Sequence, residues 1–70
     1  NMLVVNMAMK HDDVIAVLEE NGFRFVEKKG IRLFFEADGD LNEKATEAKA
    51  LIKAQPWGAA LFFNVEVVKS

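Results

Sequence analysis

The sequence predicts an α+β domain in which four strands and two helices follow the order β-α-β-β-α-β. Apolar residues alternate in four segments, which is the two-residue period of a strand. In two further segments they recur every three or four residues, the period of a helix that faces a core. The changes of period fall at glycine, aspartate and proline, which favour turns and helix ends. A chain of 70 residues is long enough for one domain, and we expect residues 1–70 to form it.

The first strand and the first helix are predicted from the N-terminal third of the chain. Met2–Met9 is almost wholly apolar, which is typical of a central strand covered on both sides. We expect Asp12 to cap the helix that follows, with Asp12 and Asp13 complementing the positive end of its dipole. Val14–Leu18 supplies the buried stripe, and Asn21-Gly22 provides the left-handed residue at which helices commonly end.

The middle of the chain predicts a β-hairpin. Phe23–Lys28 and Ile31–Ala37 both alternate in hydrophobicity, and Lys29-Gly30 between them suits a tight turn. The last strand is predicted at Leu61–Val68, which is rich in apolar and β-branched residues. Trp57, in the loop before that strand, is expected to close one end of the core.

The second helix has clear start and stop signals. Asp40 and Glu43 have the spacing of a capping box, and Pro56 ends a helix predicted over residues 41–55. Its apolar stripe consists of Leu41, Ala45, Ala48 and Ile52. Two small alanines on this stripe allow the helix to lie close to the sheet.

Two β-α-β halves joined by a hairpin predict the ferredoxin-like βαββαβ arrangement, a four-stranded antiparallel sheet with both helices on one face. The strand order in this topology is 4-1-3-2, so the second and fourth strands are the edges. The residues expected to face the helices are Leu3, Val5, Met7, Phe23, Phe25, Ile31, Leu33, Phe35, Leu61, Phe63, Val65 and Val67.

The opposite face of the predicted sheet carries the candidate interaction surface. Its apolar side chains stand among polar ones and form a larger patch than scattered surface residues would give. The candidate residues are Val4, Arg24, Val26, Arg32, Phe34, Phe62 and Asn64. Lys28 is expected on the same face. A half-solvated antiparallel sheet explains the same pattern without a partner, so both interpretations stay open.

The two predicted edge strands differ in their protection. The second strand carries three charged residues, Arg24, Glu27 and Lys28. Charges at an edge resist pairing with another strand, whereas the fourth strand is apolar apart from Asn64 and Glu66. We therefore expect a second copy to pair side by side with the fourth strand, giving a continuous eight-stranded sheet. Face-to-face stacking through Phe34 and Phe62 is the alternative dimer.

Composition limits the classes of partner. The net charge of −2 argues against a general affinity for nucleic-acid backbones or anionic membranes, which excess lysine and arginine would drive. The absence of cysteine excludes disulfides and thiolate metal sites. Apolar residues make up 51% of the chain, which excludes disorder. Because burial in so small a domain outweighs chain entropy only narrowly, we expect association to add stability.

The N-terminal segment bears on localisation. Met2–Met9 is too short to cross a bilayer, and Lys10 follows this run instead of preceding it as in a secretion signal. A soluble cytoplasmic protein is the expectation. Because the chain starts with Asn1 instead of an initiator methionine, we expect a fragment or a chain that lacks its first residues.

No residue pattern predicts catalysis, a cofactor or a metal site. His11 has no third ligand or substrate pocket near it in sequence, and we expect a solvated loop histidine. Asp38-Gly39-Asp40 lacks the remaining oxygen ligands of a calcium loop. Thr46 inside a predicted helix and Ser70 at the terminus carry the only side-chain hydroxyls, so no pairing of a nucleophile with a base can be nominated. We therefore expect a protein that is not an enzyme and that uses no cofactor.

Three known families share the predicted order of elements. Lys29–Phe34 is similar to the third-strand signature of RNA-recognition motifs, although Ile31 and Leu33 occupy the positions where those domains stack aromatics on bases. The chain is similar to ACT domains in length and element order, which implies small-molecule sensing and side-by-side pairing; Met9–Asp13 lacks the glycine typical of their ligand loop. Acylphosphatases share the topology, but this loop lacks their phosphate-binding arginine.

The sequence thus predicts a non-catalytic interaction or regulatory module that forms a homodimer through its sheet, with ACT-like sensing as one regulatory role. A protein partner or a small-molecule effector fits this expectation, and a membrane does not. The alternative is single-stranded nucleic-acid binding on the open sheet face, which the acidic net charge disfavours.

Overall fold

The computed structural model describes residues 1–69, and Ser70 lies outside the described residues. The elements are β1 (Met2–Met7), α1 (His11–Glu20), β2 (Arg24–Lys29), β3 (Arg32–Glu36), α2 (Leu41–Lys53), a short 3₁₀ helix (Gly58–Ala60) and β4 (Phe63–Val68). The four strands form one sheet in the order β2-β3-β1-β4, and each neighbouring pair is antiparallel. The predicted element order and strand order are confirmed.

One buried cluster fills the space between the sheet and both helices. Its members are Leu3, Val5, Met7, Val14, Leu18, Phe23, Leu33, Phe35, Ala45, Ala48, Ile52 and Val65. In the sheet, Val5 lies opposite both Leu33 on β3 and Val65 on β4, so these side chains share one face. Because α1 and α2 contribute to the same cluster, both helices cover that face. The fold is therefore the predicted ferredoxin-like α+β arrangement.

The start of α1 differs from the prediction. The N-cap residue is Lys10, which adopts a left-handed conformation with φ 64° and provides no side-chain cap. Asp12 lies inside the first turn with Asp13, where both carboxylates still complement the helix dipole. His11 is the first helical residue and half-buried, and its Nε2–H donates to the Met7 carbonyl oxygen at 2.6 Å. The expectations of an Asp12 cap and a solvated loop histidine were therefore wrong.

The end of α1 follows the prediction closely. Gly22 has φ 91°, the left-handed conformation that glycine adopts without a Cβ penalty. The Phe23 N–H donates to the Leu18 carbonyl at 3.0 Å, and the Gly22 N–H donates to the Glu19 carbonyl at 3.3 Å. These two bonds define a Schellman motif, in which the residue after the glycine packs on the last helical turn. Phe23 and Leu18 are both buried, so the motif turns the chain directly into the core.

The helix α2 is capped and packed as predicted. The Asp40 carboxylate accepts hydrogen bonds from the backbone N–H groups of Asn42 at 2.8 Å and Glu43 at 3.1 Å. Ala45 and Ala48 are buried, which lets the helix axis approach the sheet. Lys53 is the last helical residue, three positions before Pro56.

The 3₁₀ helix after α2 packs unusually close to it. A Cβ atom at Gly58 would lie 1.8 Å from the Ile52 carbonyl oxygen, so only glycine fits here without a shift of the backbone. Trp57 is half-buried against the core, in agreement with its predicted role. The close approach at Gly58 fixes where the chain enters β4.

Three predicted positions in the sheet were wrong. Ile31 lies in the hairpin turn before β3 and is 55% exposed instead of facing the helices. The strand β2 contains an irregularity between Phe25 and Glu27, which shifts the register of the residues that follow. Lys28 consequently lies opposite Leu33, a core-facing residue, and not on the open face. The last strand begins at Phe63, two residues later than predicted.

Candidate functional site

The two edges of the sheet differ in regularity as well as in charge. On β2, Val26 is a bulge residue without a partner on β3, and the strand ends in the three charged residues Glu27–Lys29. On β4, all six residues pair with β1 without interruption, from Met2 opposite Val68 to Met7 opposite Phe63. Bulges and charges both hinder the addition of another strand. The β4 edge, defined here as Phe62–Val68, is the unprotected edge.

The hydrogen-bonding pattern shows which groups of β4 point outward. The Met7 N–H donates to the Ile31 carbonyl at 2.9 Å, so the peptide groups of Met7 point toward β3. Peptide groups alternate in direction along a strand, so those of Asn6 and Val4 point toward β4. Their partners on β4 are Asn64 and Glu66, and the residues between them point away from the sheet. The outward residues are Phe63, Val65 and Val67.

Side chains on β4 are held in place on both faces. On the open face, the Asn6 Nδ2 group donates to Asn64 Oδ1 at 2.7 Å and to Glu66 Oε1 at 2.6 Å. On the helix face, Val65 is buried and Phe63 is half-buried against the core. The outward peptide groups are thus presented by a strand whose side chains are already fixed, which reduces the entropy lost when a partner binds.

Phe62 stands at the entrance to β4 and is 99% exposed. Met9 and Ile31 are also more than half exposed. A hollow of about 170 Å³ next to Phe62 has a lining of almost wholly apolar residues: Met7, Ala8, Met9, Ala60, Leu61 and Phe62. Contiguous exposed apolar surface of this kind commonly marks a contact with another molecule.

The open face of the sheet offers less apolar surface than the sequence suggested. Val4 lies between Phe34 and Glu66 in the register and is 0% exposed. The Phe34 ring is half-buried, with the Arg32 guanidinium 5.3 Å and the Lys29 ammonium 5.9 Å from its centroid. Phe62 precedes the start of β4, and the two hollows that it lines do not include Phe34.

The remaining candidate residues divide between the two halves of the sheet. Arg24 forms exposed ion pairs with Asp38 at 3.3 Å and Glu36 at 3.9 Å. Val26 is 43% exposed in the bulge of β2. The structure therefore brings Phe62 and Asn64 together on the β4 edge and places Arg24, Val26, Arg32 and Phe34 on the β2–β3 half.

Sequence reasoning named the apolar fourth strand but missed two features of this edge. The first is the Asn6–Asn64–Glu66 network, because the contact between these residues depended on the register of β1 with β4. The second is the hollow beside Met9, which forms only because β1 and the 3₁₀ helix end at the same place.

The described residues contain neither a cluster of metal-ligating side chains nor a helix that could span a membrane. Among residues 1–69, no group of three or more histidine, aspartate or glutamate side chains is placed to hold a metal ion. Over the same residues, no helix has the length and apolar character needed to cross a membrane.

Comparison with protein-family models, with curated proteins and with solved structures found no significant match. The functional argument therefore depends on the geometry of this chain alone.

Proposed function

We propose that this chain is a non-catalytic interaction module that forms a homodimer by pairing its β4 edge with the β4 edge of a second copy. The observation that carries the proposal is the asymmetry between the two edges. Bulge and charge protect β2, whereas β4 presents a regular, six-residue strand with one charged side chain, Glu66. The product of this pairing is one continuous eight-stranded sheet.

The energetics of a small domain favour such an association. The outward residues of each copy offer three N–H donors and three carbonyl acceptors, derived from the register of β4 with β1. Each hydrogen bond that replaces bonds to water contributes about 0.5–1.5 kcal/mol net. Apolar surface at Phe62 and Val68 adds to the interface when it is covered.

A face-to-face dimer has weaker support. It would have to cover Arg24, Glu36 and Glu66 on the open face and remove them from water, and Val4 supplies no accessible apolar surface in return. Nucleic-acid binding on this face has weaker support for a related reason. The Phe34 ring on this face is half-buried beside two cations and is not free for a base to stack on it, which leaves Phe62, before the start of β4, as the exposed ring.

The proposal includes a regulatory role of the ACT-like kind. The hollow beside Met9 and Phe62 lies at the end of β1, next to the β4 edge. An apolar effector bound there would contact the strand entrance and alter the strength of pairing. Thermal stabilisation of the protein by such an effector would support this role.

The test compares two single-atom changes of the backbone. Chemical synthesis of the chain with an ester in place of the peptide N–H of Val65 removes an outward donor, and the same change at Glu66 removes a donor directed at β1. We expect sedimentation equilibrium to show a dimer for the natural chain. The Val65 ester should weaken the dimer and leave the fold intact, whereas the Glu66 ester should mainly lower the stability of the fold. A monomeric natural chain, or a dimer insensitive to the Val65 ester, contradicts the proposal.

A further inference from the structure

The geometry points to one specific pairing of the two β4 edges, with the twofold axis beside Val65. Val65 then lies opposite Val65 of the partner subunit, Asn64 opposite the partner's Glu66, and Phe62 opposite the partner's Val68. This inference rests on the proposed homodimer and deepens it, because it assigns a contact to the most exposed aromatic residue of the chain.

The direction of the peptide groups restricts the choice of register. Hydrogen bonds across the interface need outward residues opposite outward residues, and on β4 these are Phe63, Val65 and Val67. A twofold axis that passes between two residues would place outward groups opposite inward ones. The axis must therefore pass beside a single residue, and the three central candidates are Asn64, Val65 and Glu66.

Charge and length separate these three candidates. An axis at Glu66 would place two carboxylates directly opposite each other, which destabilises a strand pair. An axis at Asn64 would place Phe62 opposite the partner's Glu66 and leave the C-terminal half of β4 opposite residues that precede the strand. An axis at Val65 pairs all three outward residues with one another, giving the longest ladder within the observed strand.

The polar side chains of the open face fit the Val65 register. Asn64 Oδ1 and Glu66 Oε1 already accept hydrogen bonds from Asn6 Nδ2. Within residues 1–69, no hydrogen bond engages the Asn64 Nδ2 donor or Glu66 Oε2. Across the twofold axis, the Asn64 Nδ2 group faces the partner's Glu66, and the reverse pair forms by symmetry. Each amide thus donates to a carboxylate that the fold has already oriented.

Phe62 gains a partner in the same register. Its side chain is 99% exposed, and Val68 is 37% exposed at the other end of the strand. Leu61 before it has an extended backbone with φ −98° and ψ 141°, so pairing can continue past the observed start of β4. Phe62 and the partner's Val68 form a non-hydrogen-bonded pair, the kind in which side chains lie closer together. Aromatic residues opposite β-branched ones stabilise antiparallel strands, and the dimer contains two such pairs.

Disulfide cross-linking tests the register directly, because the natural chain has no cysteine. Non-hydrogen-bonded pairs have Cα atoms about 4.5 Å apart, within the range that a disulfide spans. The variants are Phe62→Cys, Asn64→Cys and Val68→Cys, prepared with tags of different mass, mixed in pairs and oxidised. We expect the mixture of Phe62→Cys with Val68→Cys to cross-link. All three variants keep Glu66, so an axis at Glu66 would still place two carboxylates opposite each other.

The other cross-links identify the wrong registers. A disulfide between Asn64→Cys and Val68→Cys places the axis at Glu66, and one between two Asn64→Cys chains places it at Asn64. Either result, with a dimeric mass, overturns the register and leaves the homodimer standing. A monomeric mass for the natural chain overturns both. Val26→Cys on the β2 edge is the control and should not cross-link with Val68→Cys. If the β4 edge pairs with a peptide partner instead of a second copy, no disulfide will form between Phe62→Cys and Val68→Cys, which overturns the register.

Truncation of Phe62 tests its contact separately. We expect Phe62→Ala to raise the dimer dissociation constant roughly 2- to 30-fold, from two cross-strand pairs of ordinary strength. The matched control is Val26→Ala, which removes exposed apolar surface on β2, at the opposite edge of the sheet from β4. An unchanged dissociation constant for Phe62→Ala, measured by sedimentation equilibrium, overturns the proposed Phe62 contact.

Discussion

Replacing Gly58 with alanine tests how tightly the 3₁₀ helix packs on the end of α2. The added Cβ would lie 1.8 Å from the Ile52 carbonyl oxygen and 2.8 Å from its carbonyl carbon. Both atoms belong to the backbone, so they cannot move aside as the end of a flexible side chain would. Overpacking of this kind costs about 1–3 kcal/mol.

A second effect acts in the opposite direction and is smaller. Alanine restricts the unfolded chain more than glycine does, which contributes about 0.4–1 kcal/mol of stability where the native backbone suits alanine. Gly58 is not among the glycines with positive φ, so this contribution applies here. We expect a net loss of about 1–2 kcal/mol, and a fall in melting temperature of roughly 5–15 °C for a domain of this size.

Thermal and urea unfolding followed by circular dichroism measure this loss. Both proteins must be compared at one protein concentration, because the stability of the proposed dimer would depend on concentration. The control is Ala59→Ser, which adds an atom at an exposed position of the same short helix and should change stability by less than about 0.5 kcal/mol. A Gly58→Ala protein as stable as the natural chain would refute the argument from close packing.

Two further predictions concern the helix starts. Asp40→Ala should lower the free energy of unfolding by about 1 kcal/mol, because two backbone N–H groups of α2 lose their acceptor; Asp40→Asn, which keeps an oxygen there, should lose less in urea titration. Lys10→Gly should raise the free energy of unfolding by about 0.5–1 kcal/mol, since it relieves a left-handed conformation at φ 64°. The exposed Lys10–Asp13 ion pair at 3.9 Å contributes little, and a Lys10→Gly protein less stable than the natural chain contradicts this account.

The fold was predictable because its determinants are local and repeat along the chain. The alternation of apolar residues identified every strand, and Asp40 and Gly22 marked helix ends by side-chain chemistry that acts within a few residues. The start of α1 was missed for a specific reason. Asp12 has the chemistry of a cap, but the His11–Met7 contact ties the first turn to the end of β1 and moves the cap to Lys10.

The details of the sheet depended on contacts between distant segments. The irregularity at Val26 changes which face the following residues occupy. The sequence of β2 alone does not predict this bulge. Val4 is covered by residues from β3 and β4, so its burial follows from the register and not from its own segment. The contrast between a charged and an apolar edge, by comparison, is a property of two short segments and was visible in the sequence.

If two copies pair through β4 as proposed, the bulge in β2 would determine where assembly stops. A sheet with two receptive borders could add copies without limit and grow into a fibre, because every new copy would offer another border. Here the extra residue at Val26 and its charged neighbours hinder addition at one border, so in the proposed dimer each copy would join through the other. Growth by strand addition would then end at two copies, and the irregular strand would protect the protein against amyloid-like polymerisation.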